Sequence, residues 1–129
     1  MGKESKFSRE VVDYLKGKGA LVNVNTATIY DRVGRADVEA CYLGYYIALE
    51  LKTGNYQPDP LQIRYLQEVR HVGGYGLLLR DNLGDLYDLL QYLDQLDNRE
   101  YQGFDDIYYT YEQPELPEIN YDELEIDYD

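Results

Sequence analysis

Residues 34–54 read G-R-A-D-V-E-A-C-Y-L-G-Y-Y-I-A-L-E-L-K-T-G. Two runs rich in Val, Tyr, Ile and Leu, 36–43 and 45–52, flank Gly44, and this pattern predicts a β-hairpin closed by Thr53-Gly54-Asn55. Side chains alternate along a strand, so Glu50 and Lys52 share one face and Leu51 takes the other. Asp37 belongs to the first strand. Twelve residues lie between it and Glu50, enough to ascend one strand and descend part of the next. The stretch before Glu50, Y-Y-I-A-L, is too apolar for a strongly exposed strand. Charges that end a buried strand point to a cleft rather than to a solvated cross-strand pair.

The flanking segments supply the rest of a sheet and its helices. Residues 8–18 predict a first helix, with Ser5 or Ser8 as cap, Val11, Val12 and Leu15 as the apolar face and Glu10 in the first turn. Residues 20–25 alternate as a half-buried strand with Ala20, Val22 and Val24 on one side. Residues 26–34 read as a loop or a bent strand end. In Q-P-D-P (57–60), Asp59 is an N-cap and Pro60 the first helical residue. The helix then runs to about His71, with Gln62 at the third position of a capping box. Residues 75–80 form a short strand apolar enough to be central, and 83–96 form a third helix capped by Asp81 or Asn82. A strand–helix–strand connection makes a parallel pair, here 45–52 with 75–80. The expected fold is therefore α/β, a mixed sheet with flanking helices.

Charge divides the chain. The net charge is −13, which by itself argues against a nucleic-acid partner. Residues 1–93, however, hold 12 acids and 11 bases, whereas 94–129 hold 13 acids and the single base Arg99. The chain reads as a near-neutral body, 1–93, and an acidic, Tyr-rich tail, 94–129. Within the tail, 106–112 is strand-like and 124–129 alternates strictly. Three readings of the tail stand side by side: a solvated appendage, strands added to a sheet edge or to a partner, and a DNA mimic lying over the basic surface.

The one cysteine, Cys41, can form no internal disulfide and reads as a small buried hydrophobe. A reducing, cytoplasmic location is the default expectation. No apolar run approaches a membrane span, and the N-terminus lacks a signal-peptide core. His71, the only histidine, ends the second helix and reads as a helix-terminal or surface residue. There is no Ser-His-Asp set, Cys/His cluster or phosphate-cradling glycine loop.

The hairpin residues point to phosphodiester hydrolysis. That reaction near neutral pH needs an activated water and relief of charge on the transition state, and Mg2+ or Mn2+ held by carboxylates provides both. Asp37 and Glu50 are the expected metal ligands, with the backbone carbonyl of Leu51 as a third oxygen. Lys52 can orient or help deprotonate the water and stabilise developing negative charge. Arg9, Lys16 and Lys18 on the first helix, with Arg32 and Arg35 before Asp37, are candidate phosphate contacts on DNA.

Asp37, Glu50-Leu51-Lys52, the preceding helix with Glu10 and the following helix with Gln62 together resemble the PD-(D/E)XK nuclease superfamily. The layout is most similar to VRR-NUC proteins and archaeal-type Holliday junction resolvases over roughly residues 8–80. The resemblance implies a restriction-endonuclease-like αβββαβ core and an Mg2+- or Mn2+-dependent endonuclease acting on DNA, including branched or structured DNA. It implies that Asp37 and Glu50 bind metal and that Lys52 is the catalytic lysine. Glu10 would match the first-helix acid that some members use for a second metal or its water, and Gln62 the second-helix glutamine near the active site. Ala36 stands where the nominal motif has proline. Resolving a junction would require two sites, hence a homodimer, and no residue pattern here shows that interface. The alternative is a weak or inactive nuclease fold that binds a partner through its acidic tail.

Overall fold

The fold was obtained as a computed structural model, which describes residues 2–25, 35–102 and 111–120. In chain order the elements are α1 (Lys3–Gly17), β1 (Leu21–Val24), β2 (Val38–Tyr42), β3 (Tyr45–Lys52), α2 (Pro60–His71), β4 (Tyr75–Arg80) and α3 (Gly84–Gln102). The strands form one sheet in the order β1-β2-β3-β4. The first two pairings are antiparallel and β3·β4 is parallel, as the βαβ connection requires. The mixed sheet with flanking helices and the αβββαβ core are as expected.

The hairpin turn is Leu43-Gly44, with φ of 52° and 87°. Two consecutive positive φ values give the turn the twist that suits a two-residue hairpin. Pairing then runs from Tyr42↔Tyr45 to Val38↔Leu49. In β3, Ile47, Leu49 and Leu51 enter one core with Phe7, Val11 and Leu15 of α1 and Leu86, Leu89, Leu90 and Leu93 of α3. Ala48 faces the other way and packs with Leu66 and Val69 of α2. Residues 47–51 are all buried, so this strand is the centre of the domain. Gly76 of β4 lies so close to α2 that an added Cβ would meet the Leu66 carbonyl oxygen at 2.7 Å.

Several details differ from the sequence expectation. Helix α1 begins at Lys3 rather than near residue 8, with Gly2 as an N-cap that has no side-chain cap bond. Phe7 extends the Val11–Leu15 stripe one turn back, so Ser5 and Ser8 sit inside the helix. Glu10 is therefore mid-helix, not in the first turn. Val24 is exposed, unlike Val22, and Cys41 is exposed rather than buried. Its side of β2 is the face that carries Glu39, away from the buried Val38, Ala40 and Tyr42.

Strand β4 is last in the sheet, not central, yet the start of its outer edge is covered. Gln113 Oε1 accepts from the Gly76 N–H at 2.9 Å, and its Nε2 donates to the Gly74 carbonyl at 3.2 Å. Arg70 donates to the carbonyls of Gly76 and Pro114. Tyr111 stacks on Tyr92 with ring centres 4.8 Å apart. Helix α3 runs unbroken through residues 93 and 94, where charge divides body from tail. Leu93 is buried in the core, and Tyr42 donates its hydroxyl hydrogen to Asp94. Asn82 caps α3 by accepting from the Gly84 N–H at 2.9 Å. Arg32, the strand-like residues 106–110 and the alternating segment 124–129 lie outside the described residues. Residues 111 and 112 belong to no strand. Among the described residues, no helix is long and apolar enough to cross a membrane.

Candidate metal centre

The site forms where β2 stops and β3 continues. Beyond the Val38↔Leu49 pair, β2 offers no further backbone partner. The Asp37 side chain takes over: its Oδ2 accepts from the Leu51 N–H at 2.9 Å. A carboxylate thus replaces one rung of the ladder and is fixed beside β3. Asn25 holds the backbone behind it. Its side chain donates to the Ala36 carbonyl at 2.7 Å, and its own N–H bonds the Asp37 carbonyl at 2.9 Å.

Glu50 projects from β3 on the α2 side and is only 1% exposed. Neither of its carboxylate oxygens has a hydrogen-bond partner among the described residues. Lys52 Nζ lies 3.3 Å from Oε1, at ion-pair distance but without the alignment of a hydrogen bond. Burial, and secondarily the neighbouring Asp37, push the Glu50 carboxyl up to about 8 against the opposing pull of Lys52. An ionised, buried carboxylate without donors is costly. This is the environment that a hard divalent cation would relieve, since such ions take carboxylate oxygens and cancel their mutual repulsion. The donor set therefore fits Mg2+ or Mn2+. Among the described residues, no three His, Cys, Asp or Glu side chains converge as a ready-made metal cluster.

Two cavities of about 350 Å³ each lie beside the centre, one reached by Asp37 and the other by Lys52, while the buried Glu50 lines neither. Asp37 and Leu51 line the first, with Asn25, Val24 and, from α1, Glu4 and Ser8. Lys52, Thr53, Tyr56 and Gln57 line the second, with Lys3 and again Glu4. Glu4 is thus the first-helix acid shared by both cavities. Glu10 is exposed and lines neither. Sequence reasoning missed Glu4 because it started the helix too late. The i, i+4 spacing of Glu4 and Ser8, parallel to Phe7 and Val11, was the available signal. Asn25 carried no comparable signal, because its partners are backbone atoms far along the chain.

The other expected site residues have these positions. Gln62 completes the α2 capping box: its Oε1 accepts from the Asp59 N–H at 2.8 Å, and it lines neither cavity. Lys18 pairs with Asp94 at 3.2 Å, and Arg35 with Glu39 at 3.2 Å. Arg9 and Lys16 are exposed on α1. Lys16 and Lys18 are at the end of α1 opposite Glu4, about 20 Å away along the helix axis at 1.5 Å per residue. Lys3, at the near end, lines the second cavity. Residues 111–120 line neither cavity.

No protein-family model matches the sequence, and no curated protein matches it. The fold has relatives among solved structures. One is a VRR_NUC domain, with a TM-score of 0.58 and 22% identity over 70% of this chain and 97% of that one. Another is Hjc of Archaeoglobus fulgidus, a Holliday junction resolvase, with a TM-score of 0.47 and 16% identity over 59% of this chain and 66% of that one. The chain shares the fold of this VRR_NUC domain, a mixed sheet with flanking helices.

Proposed function

We propose that the chain is a divalent-metal-dependent endonuclease that hydrolyses DNA phosphodiester bonds, acting on branched or otherwise structured DNA. The observation that carries the reading is Glu50: a fully buried carboxylate with no hydrogen-bond donor among the described residues, beside Asp37 and Lys52, on a fold shared with a VRR_NUC domain. The preference for branched DNA rests on the sequence resemblance to junction resolvases.

Asp37 and Glu50 would hold Mg2+ or Mn2+, with the Leu51 carbonyl as a further oxygen. When bound, the ion would lower the pKa of its water and offset charge on the phosphoryl oxygens. Asp37 Oδ2 is occupied by the Leu51 N–H, so this carboxylate is oriented before any ligand arrives. Lys52 Nζ, held near Glu50, orients the attacking water and stabilises negative charge as it develops on the phosphate. Glu4, on the α1 wall of both cavities, would take the role that the resemblance gives to a first-helix acid and would accept hydrogen bonds from water at the site.

The test is cleavage of labelled four-way junction, flapped, nicked and plain duplex DNA, with an RNA arm, in Mg2+ and in Mn2+. Wild type is expected to cut, and Asp37→Ala and Lys52→Ala to lose at least about 100-fold in rate, the scale for removing charge stabilisation from a preorganised site. Equal activity in all three proteins would sink the reading.

A further inference from the structure

We propose that the second cavity is a binding subsite for an unpaired nucleotide next to the scissile phosphate, with the Tyr56 ring as its stacking platform. The inference deepens the nuclease reading and rests on it. The cavity opens directly beside the candidate centre. Lys52 lies in its wall and reaches Glu50 Oε1 at 3.3 Å, and Glu4 lines both this cavity and the one that holds Asp37. A strand with its phosphate at Asp37 and Glu50 therefore has the next nucleotide at this second opening. The volume of about 350 Å³ suits a small organic group such as a base and its sugar. Lys3 and Lys52 supply positive charge for a flanking phosphate, and Gln57 and Thr53 supply polar side chains.

Tyr56 is the unusual member. Its side chain is 75% exposed, and its ring stacks on no other ring among the described residues. Tyr46 and Tyr87, the other exposed tyrosines among the described residues, each have an aromatic partner: Tyr46 bonds the Tyr65 hydroxyl and Tyr87 meets Tyr14 edge-on. Yet the loop that carries Tyr56 is firmly braced. Arg80 donates to the carbonyls of Gly54 and Tyr56, both at 2.7 Å, and the Asp81 carboxylate accepts from the Gly54 N–H at 3.0 Å. Pro58, buried, ends the loop before α2. An aromatic ring presented to solvent on a fixed loop, in the wall of a cavity that two lysines also line, is preorganised for stacking. Such a ring needs a bare base face. In paired duplex both faces are covered by neighbouring bases, so the subsite selects an unpaired nucleotide.

The chain contains no tryptophan, which provides a direct probe. Tyr56→Trp places a single indole in the subsite, and base stacking quenches its fluorescence. Binding is measured with Ca2+ as the divalent cation and the DNA checked for cleavage. The probes are a flapped DNA with an unpaired arm and a fully paired duplex of the same composition. The flapped DNA is expected to quench Tyr56→Trp and the duplex not. By fluorescence anisotropy, Tyr56→Ala should weaken flapped-DNA binding about tenfold, leave duplex binding within twofold and be rescued by Tyr56→Phe. Equal quenching by both DNAs, or Tyr56→Ala affinity unchanged on the flapped DNA, would overturn the subsite. So would absence of DNA binding by wild type. Because this readout is binding, it separates from the nuclease reading, which fails on cleavage by Asp37→Ala and Lys52→Ala. Tyr56 is exposed, so its substitution leaves the core intact.

Discussion

Glu50 is the buried carboxylate under electrostatic tension at the candidate centre. Its carboxyl is raised from 4.5 to about 8 by burial first and Asp37 second. The folded, metal-free protein therefore holds a proton at Glu50 over a range in which the unfolded chain has released it. Stability from this group is fully present below pH about 4.5 and is lost as pH rises through about 8. Thermal melts of metal-free wild type and Glu50→Gln should diverge accordingly: from pH 5.5 to 8.5 the wild type loses Tm relative to the variant. Parallel curves would refute the assignment of tension to Glu50. Divalent cation should restore the wild-type Tm at pH 8.5 and do little for Glu50→Gln. A second residue-scale contrast lies on α1. Glu4 lines both cavities and Glu10 neither, although Glu10 is the acid that the sequence resemblance singles out. Glu4→Gln should slow cleavage by about tenfold or more, and Glu10→Gln by less than twofold. The reverse order would return the first-helix role to Glu10.

At the scale of elements, what was legible in the sequence depended on whether the cause was local. The hairpin, the alternation that puts Glu50 and Lys52 on one face, the Asp59-Pro60 helix start and the parallel β3·β4 pair all follow from short-range rules, and the fold has them. The start of α1 was misplaced because serines inside a helix resemble caps, while the true cap, Gly2, makes no side-chain bond. The edge position of β4 was hidden for a different reason. The strand reads as central because it is apolar, and the start of its outer edge is covered by Gln113, which lies 37 residues beyond Gly76. Such long-range partners leave no periodic trace. The hairpin turn gives an element-scale prediction. Leu43 has φ of 52° and is 46% exposed, a conformation that asparagine adopts at lower cost. Leu43→Asn should raise unfolding free energy by about 0.5–1 kcal/mol in urea titrations without changing the slope. A loss of stability would mean that the exposed leucine packs on something that outweighs the turn.

At the scale of the whole molecule, charge and architecture are arranged for different tasks. The acidic excess lies in residues 94–129, and α3 and residues 111–120 tie that region to the sheet at β4 and α2. The candidate centre is formed at the junction of α1, β2 and β3, and segment 111–120 lines neither of its cavities. The central claim is that Asp37 and Glu50 form a cation site on which Lys52 acts without being a ligand. Calorimetric titration of Mn2+ into wild type, Asp37→Ala, Glu50→Gln and Lys52→Ala, paired with cleavage by the same preparations, tests it most directly. Wild type and Lys52→Ala should bind Mn2+, the two carboxylate variants should lose at least about tenfold in affinity, and only wild type should cut DNA efficiently. Undiminished Mn2+ binding by both carboxylate variants, or full cleavage by Lys52→Ala, would contradict the account.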